Sequence, residues 1–216
     1  MKTKTSILTA LIALASGAGA MAQVYSQNVV GYVNVTVPAG FSMIANPLNG
    51  ANNGLNTIIP TASEGMLLYK FNTTFEDANE YFDGFGWAQN GEATTTVLNP
   101  GEGAFFYTPS AATLTFVGEV PTGALSNPVP GGFSIEASQV PQSGNLTALG
   151  FPAAEGDLVY LFNALTQQYA DAYEYFDGFG WAQNGEAAEP TVNPGEAFFS
   201  AKLASTTWNR SFNPNN

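Results

Sequence analysis

Cysteine and histidine are absent from the 216-residue chain, and basic residues are scarce, with five Lys and Arg against 17 Asp and Glu. Without cysteine, an exported fold has no disulfides, so apolar burial must hold it together. Without histidine, Ser-His-Asp and Cys-His nucleophile systems are excluded, as are His-ligated zinc, copper and haem. The net charge of −12 repels phosphate backbones and anionic lipid surfaces. It argues against nucleic-acid or membrane partners and accounts for solubility by self-repulsion. No apolar run reaches the ~18–20 residues that a transmembrane helix needs. A phosphate-binding Walker loop and a GxSxG elbow are both missing. Gly84, Gly86 and Gly91 are wrongly spaced for a dinucleotide fingerprint.

The N-terminus reads as a secretory signal over residues 1–22. Lys2 and Lys4 supply the positive region, Ile7 to Ala15 the short apolar run, and Ala20-Met21-Ala22 the small residues before a cut at Gln23. No twin arginine precedes the run and no cysteine is present to carry a lipid anchor. Cutting there removes two of the five basic residues and none of the 17 acidic ones, taking the net charge from −12 to −14. The expectation is a secreted protein, extracellular or periplasmic, with no membrane insertion.

What the chain has in abundance is itself. Glu80 to Glu92 (EYFDGFGWAQNGE) returns identically at Glu174 to Glu186, 94 positions on. Thirteen identical residues indicate an internal duplication. Gly31–Ser42 aligns with Gly123–Ser134, Glu64–Asn72 with Glu155–Asn163, Asn99–Glu102 with Asn193–Glu196, and Thr115-Phe116 with Thr207-Trp208, at offsets of 91 to 94. Two repeat units are therefore expected, over residues 23–120 and 121–216.

Each copy reads as short strands. Val33, Val35 and Val37 alternate with Asn34 and Thr36, the period of a half-buried strand. Phe41–Ala45, Met66–Phe71, Ala104–Tyr107 and Thr113–Val120 follow, rich in aromatic and β-branched residues and punctuated by Pro, Gly and Asn. Leu55–Ile59 offers the one helical turn. Val24–Val30 matches Phe116–Thr122 and suggests an added edge strand. Pro121–Pro130 has the composition of a linker, yet it aligns with the opening strand of the first copy. The fold class expected is all-β, two tandem homologous units that are β-sandwiches or partly open barrels.

Within the repeated stretch, Asn90-Gly91 and Asn184-Gly185 are type I′ hairpin signals, and Asp83-Gly84 marks a further turn. Phe85, Trp87 and Gln89 alternate toward the Asn-Gly turn. Pro190 should confine the outgoing arm of the second copy to a sheet edge. The aromatics admit two readings. Tyr81 and Trp87, with Tyr175 and Trp181, could keep exposed edges and stack on sugar rings, with Asp83 and Asp177 beside them as hydrogen-bonding groups. Alternatively the rings are core and cross-strand packing, and alternation favours this inward placement for Trp87 and Trp181.

The acids suggest less. Glu76, Asp77, Asn79, Glu80 and Asp83 cluster, but an EF-hand's alternating donors are interrupted at Tyr81, and Asn79 becomes Tyr173 in the second copy. No metal site or cofactor is expected. Asp83 with Glu92, and Asp177 with Glu186, are the only obvious carboxylate pairs for glycoside hydrolysis, and a unit of this size offers little cleft. Sequons at Asn34, Asn72, Asn145 and Asn209 matter only in a eukaryotic host.

Val30-Gly31-Tyr32-Val33-Asn34, Pro38-Ala39-Gly40-Phe41-Ser42, Gly86-Trp87, the run Leu98 to Phe106 (LNPGEGAFF) and Phe116 to Pro121 (FVGEVP) occur in that order. This order resembles uncharacterised secreted β-repeat proteins of Verrucomicrobia and related bacteria. The second copy departs from it by placing Glu136 where the first has Ile44, and by lacking a glycine equivalent to Gly103. The resemblance implies an exported β fold and transfers no active site. The function expected is non-enzymatic, a structural or interaction role outside a bacterial cell. The alternative is a carbohydrate-binding module using the repeated hairpin, so the expected partners are extracellular polysaccharide or other surface proteins.

Overall fold

The structure is a computed structural model and describes residues 29–214. The signal segment and most of the Val24–Val30 match lie outside the described residues. What is described is nearly all β, in several antiparallel sheets, none closed into a barrel. Eight main strands come first: β1 (Val30–Val37), β2 (Gly40–Ala45), β3 (Leu67–Tyr69), β4 (Asn79–Phe82), β5 (Gly86–Gln89), β6 (Glu92–Ala93), β7 (Gly103–Thr108) and β8 (Ala112–Glu119). Eight more follow: β9 (Gly123–Val129), β10 (Gly132–Ala137), β11 (Leu158–Tyr160), β12 (Tyr173–Phe176), β13 (Gly180–Gln183), β14 (Glu186–Ala187), β15 (Ala197–Lys202) and β16 (Thr206–Phe212). The helix α1 (Leu55–Ile58) is a single turn.

One six-stranded sheet runs β2-β7-β3-β4-β5-β6 and the other β10-β15-β11-β12-β13-β14. Each is accompanied by a two-stranded ribbon, β1 with β8 and β9 with β16. Adding eight to each strand number of the first set gives the second set. Ribbon and sheet share one core in each half. Val37, Leu114 and Phe116 from the first ribbon join Ile44, Leu68, Trp87 and Phe106 from the first sheet. Val129 and Trp208 from the second ribbon join Val159, Trp181 and Phe198. The period-2 signal in β1 is matched by strictly alternating exposure along it, because one face is packed and the other is wet.

Pro121–Pro130 is a strand, as its alignment with the opening strand indicates, and not the linker its composition suggests: its centre is β9, paired along its length with β16. Two sequence expectations are corrected. Met66–Phe71 is not one strand. It breaks at Lys70, after which Phe71–Asn72 folds back on Thr74–Phe75 around Thr73 at φ 62°. Phe85 and Trp87 do not share a face: Phe85 is 59% exposed and Trp87 fully buried. Phe85 belongs to the turn, and Gly86, at φ +97°, interrupts the extended backbone on which alternation depends.

A third cluster belongs to neither half alone. Met43 and Ala45 of β2 pack with Ile135 and Ala137 of β10 and with Ala197 and Phe199 of β15. Backbone contacts cross reciprocally. The Ala45 N–H donates to the Gly195 carbonyl at 2.9 Å, and the Ala137 N–H donates to the Gly101 carbonyl at 3.0 Å. Isolated bridges pair Ile44 with Glu196 and Glu136 with Glu102. By sequence alignment these are the same contacts with the roles of the two sequence copies exchanged.

Candidate functional site

The repeated hairpin was the leading site in the sequence, and its geometry is that of a brace. Asn90 and Gly91 have φ of 54° and 81°, Asn184 and Gly185 54° and 80°, as a type I′ turn requires. The short arms β6 and β14 lie at the sheet edges. Asn90 Nδ2 donates to Asp77 Oδ2 at 3.1 Å and Gln89 Nε2 to the Asp77 carbonyl at 2.8 Å. Asn184 and Gln183 repeat both bonds on Asp171, at 2.9 and 2.8 Å. At the other end of β5 the Asp83 N–H donates to Glu64 Oε2 at 2.5 Å, and Asp177 does the same to Glu155. Asp77, one of the clustered acids, therefore holds the hairpin turn in place. Asn79 is fully buried, donating to the Leu68 carbonyl and accepting from Thr94 Oγ1.

The proposed sugar platform is not on the surface. Trp87 is fully buried and donates from Nε1 to the Ile59 carbonyl at 3.0 Å, while Trp181 is 3% exposed. Neither indole offers the exposed edge that the platform reading requires. Tyr81 and Tyr175 stand edge-on to them, with ring centroids 5.6 and 5.3 Å away, and are half-buried. Asp83 and Asp177 are exposed in their turns. Asp83 and Glu92 lie at opposite ends of β5, and four residues at about 3.3 Å each put roughly 13 Å between those ends. That exceeds the spacing of paired glycosidase carboxylates. Among the described residues no three acidic side chains converge as a cation site.

Two buried charges are specific to the second half. Lys202 donates to Asp157 and to the Pro152 carbonyl, and both charged side chains are 2% exposed. Asp157 also accepts from the N–H groups of Ala154 and Leu203, at 2.7 and 3.1 Å, so it is well supplied with donors. Its aligned position in the first half is Met66, and that of Lys202 is Thr108. The pair ties the end of β15 to the 152–157 loop.

At the junction, burial pushes the Glu136 carboxyl up to about 7, and the charge of Glu102 adds to the rise. Asn127 Nδ2 donates to Glu136 at 3.2 Å and to the Gly101 carbonyl at 3.1 Å. For Glu102 burial acts upward too, but the Lys70 ammonium at 2.6 Å, helped by Asn99, outweighs it and leaves this carboxyl below its ordinary value.

The residues that sequence reasoning missed are rings at this same junction. Phe199 forms the floor of a cleft of about 590 Å³ whose lining includes Phe71, Phe133, Tyr160, Tyr169 and Asp171. Phe71, which belongs to the first half, stands perpendicular to Phe199 at 5.0 Å, with Tyr169 at 5.9 Å and Phe133 at 6.3 Å. The equivalent cleft of about 260 Å³ is lined by Phe41, Tyr69, Phe75 and Phe105. Phe162 of the second half lies against its floor, 5.0 Å from Phe105. Five rings thus recur at offsets of 91 to 94, and each half lends one to the other. Burial pushes the Tyr169 phenol up to about 12, so its hydroxyl is a neutral group at physiological pH. The available signal was this recurrence of aromatics at a fixed offset.

No protein family, curated protein or solved structure matches the chain.

Proposed function

We propose that this is an exported, non-catalytic β-repeat protein, built from two homologous sandwich-like units in tandem, with an interaction role outside a bacterial cell. The observation that carries the reading is the pair of aromatic clefts, five equivalent rings each, completed by a ring from the opposite half. Packing alone explains Trp87 and Trp181. It does not explain why Phe133, Tyr169 and Phe75 stay 54%, 43% and 47% exposed at the mouths of these clefts, where isolated burial would be the economical outcome. Equal strand order in the two six-stranded sheets supports the duplication, and the reciprocal bonds support its two-fold arrangement. The leader-like N-terminus and the strongly acidic, disulfide-free composition support export. A polysaccharide, if it is the partner, would meet the cleft rings rather than the repeated hairpin.

Fractionation of cells expressing the full chain, with intact mass, tests export. A chain starting at Gln23 outside the cytoplasm is expected, and a chain retaining its first 22 residues inside would sink the reading. Pull-down on insoluble polysaccharides and on bacterial surfaces then separates the clefts from the hairpin. Phe133→Ala with Phe75→Ala should lower binding without changing the melting temperature. Trp87→Ala with Trp181→Ala should instead lose the fold, at about 3–5 kcal/mol per buried ring.

A further inference from the structure

The two aromatic clefts are not equally open. The loop at 164–167 is longer than its counterpart around Thr73, and it carries Gln167 onto β2. Gln167 Oε1 accepts from the Phe41 N–H at 2.7 Å, and its Nε2 donates to the Phe41 carbonyl at 2.9 Å. That side chain stands beside the first cleft, about 260 Å³, whereas the second cleft is more than twice as large at about 590 Å³.

We propose that the open cleft on Phe199 binds an organic ammonium cation, the quaternary ammonium group of a small ligand. This rests on the interaction role proposed above and gives it a ligand class. Three electrostatic features agree. The faces of aromatic rings carry negative potential, and rings gathered around one space form the kind of cage that holds quaternary ammonium groups. Asp171 is among the residues that line the cleft, and no Lys or Arg is. The whole chain carries a net charge of −12, which draws cations toward it and repels anions. A sugar would need several convergent hydrogen-bonding groups, and the side chains here supply two phenol hydroxyls and one carboxylate already engaged by Asn184 at 2.9 Å.

Calorimetric titration of the full chain with choline chloride tests the assignment. The controls are the uncharged isostere 3,3-dimethylbutan-1-ol and the neutral oligosaccharide cellotetraose, all at constant ionic strength. Saturable choline binding at one site per chain is expected, with the isostere at least about tenfold weaker. Phe133→Ala should weaken choline binding about two- to thirtyfold, the range that cation–π contacts span, and Asp171→Asn severalfold. Phe133 is exposed and Asp171→Asn keeps an acceptor for Asn184, so the melting temperature should hold. If Phe133→Ala nevertheless melts early, Tyr169→Leu provides the same reading. Equal binding of the isostere, binding of cellotetraose in place of choline, or no binding of choline would each overturn the cation assignment. Cellotetraose binding lost in Phe133→Ala would leave the interaction role standing while removing this ligand class, so the two failures are distinguishable.

Discussion

Glu136 stands where the first copy has Ile44, and the substitution places a carboxyl in the junction. Its side chain is almost wholly covered, with Asn127 donating to it and the Glu102–Lys70 pair beside it. Because its carboxyl is held near 7, the folded chain keeps a proton that the unfolded chain has already released above about pH 4.5. The stability this provides is complete at low pH and is lost as pH rises through 7. At 1.36 kcal/mol per unit the loss amounts to roughly 3 kcal/mol. Glu136→Gln keeps an acceptor for Asn127 and removes the titration. Its melting temperature should match the wild type near pH 5 and exceed it by about 5–10 °C at pH 8. Glu102, shifted the other way, titrates below pH 4.5 and does not contribute to this difference. Equal melting temperatures of the two proteins at pH 8 would show that the fold does not raise the Glu136 carboxyl.

Where β7 meets β15 the two aligned stretches of sequence differ. Gly103 aligns with Ala197, and a Cβ added at Gly103 would stand 2.6 Å from the Ala197 Cβ and run into the Ile135 Cγ2 methyl. These two aligned positions face each other, and only one of them carries a side chain. The missing glycine in the second copy is thus a consequence of packing. Gly103→Ala should cost about 1–3 kcal/mol, the usual penalty for overpacking. Adding Ala197→Gly should restore part of it, because the Ile135 clash persists, and chemical denaturation of the three proteins measures this. The same strands mark the limit of what the sequence made legible. In β1 one face is wet, so alternation was readable. From Ser42 to Ala45 every residue is buried, because one face meets its own ribbon and the other meets the opposite half, and alternation vanishes. The Asn-Gly hairpins were legible because their turn depends on local φ alone. The aromatic clefts were not, since each collects rings from five separate stretches and one of them crosses from the other half.

The junction cluster of Met43, Ala45, Ile135, Ala137, Ala197 and Phe199 also decides how the chain unfolds. Opening the first half alone would uncover the apolar faces of β10 and β15 and break both reciprocal backbone bonds, so neither half can leave without destabilising the other. Tandem domains on a free linker would melt independently, whereas here β9 begins two residues after Pro121 and is locked into its ribbon. A single calorimetric transition is expected, with equal van't Hoff and calorimetric enthalpies. The three tryptophans allow a sharper test. Trp87 belongs to the first core, and Trp181 and Trp208 to the second. Trp87→Ala removes the only indole of the first core and about 3–5 kcal/mol of its packing, and the remaining fluorescence then reports the second half alone. That emission should melt at the same lowered temperature as the far-ultraviolet dichroism of the whole chain. If instead the second half kept its wild-type midpoint while the dichroism moved in two steps, the halves would be folding as separate bodies and the clefts between them could not be rigid binding sites.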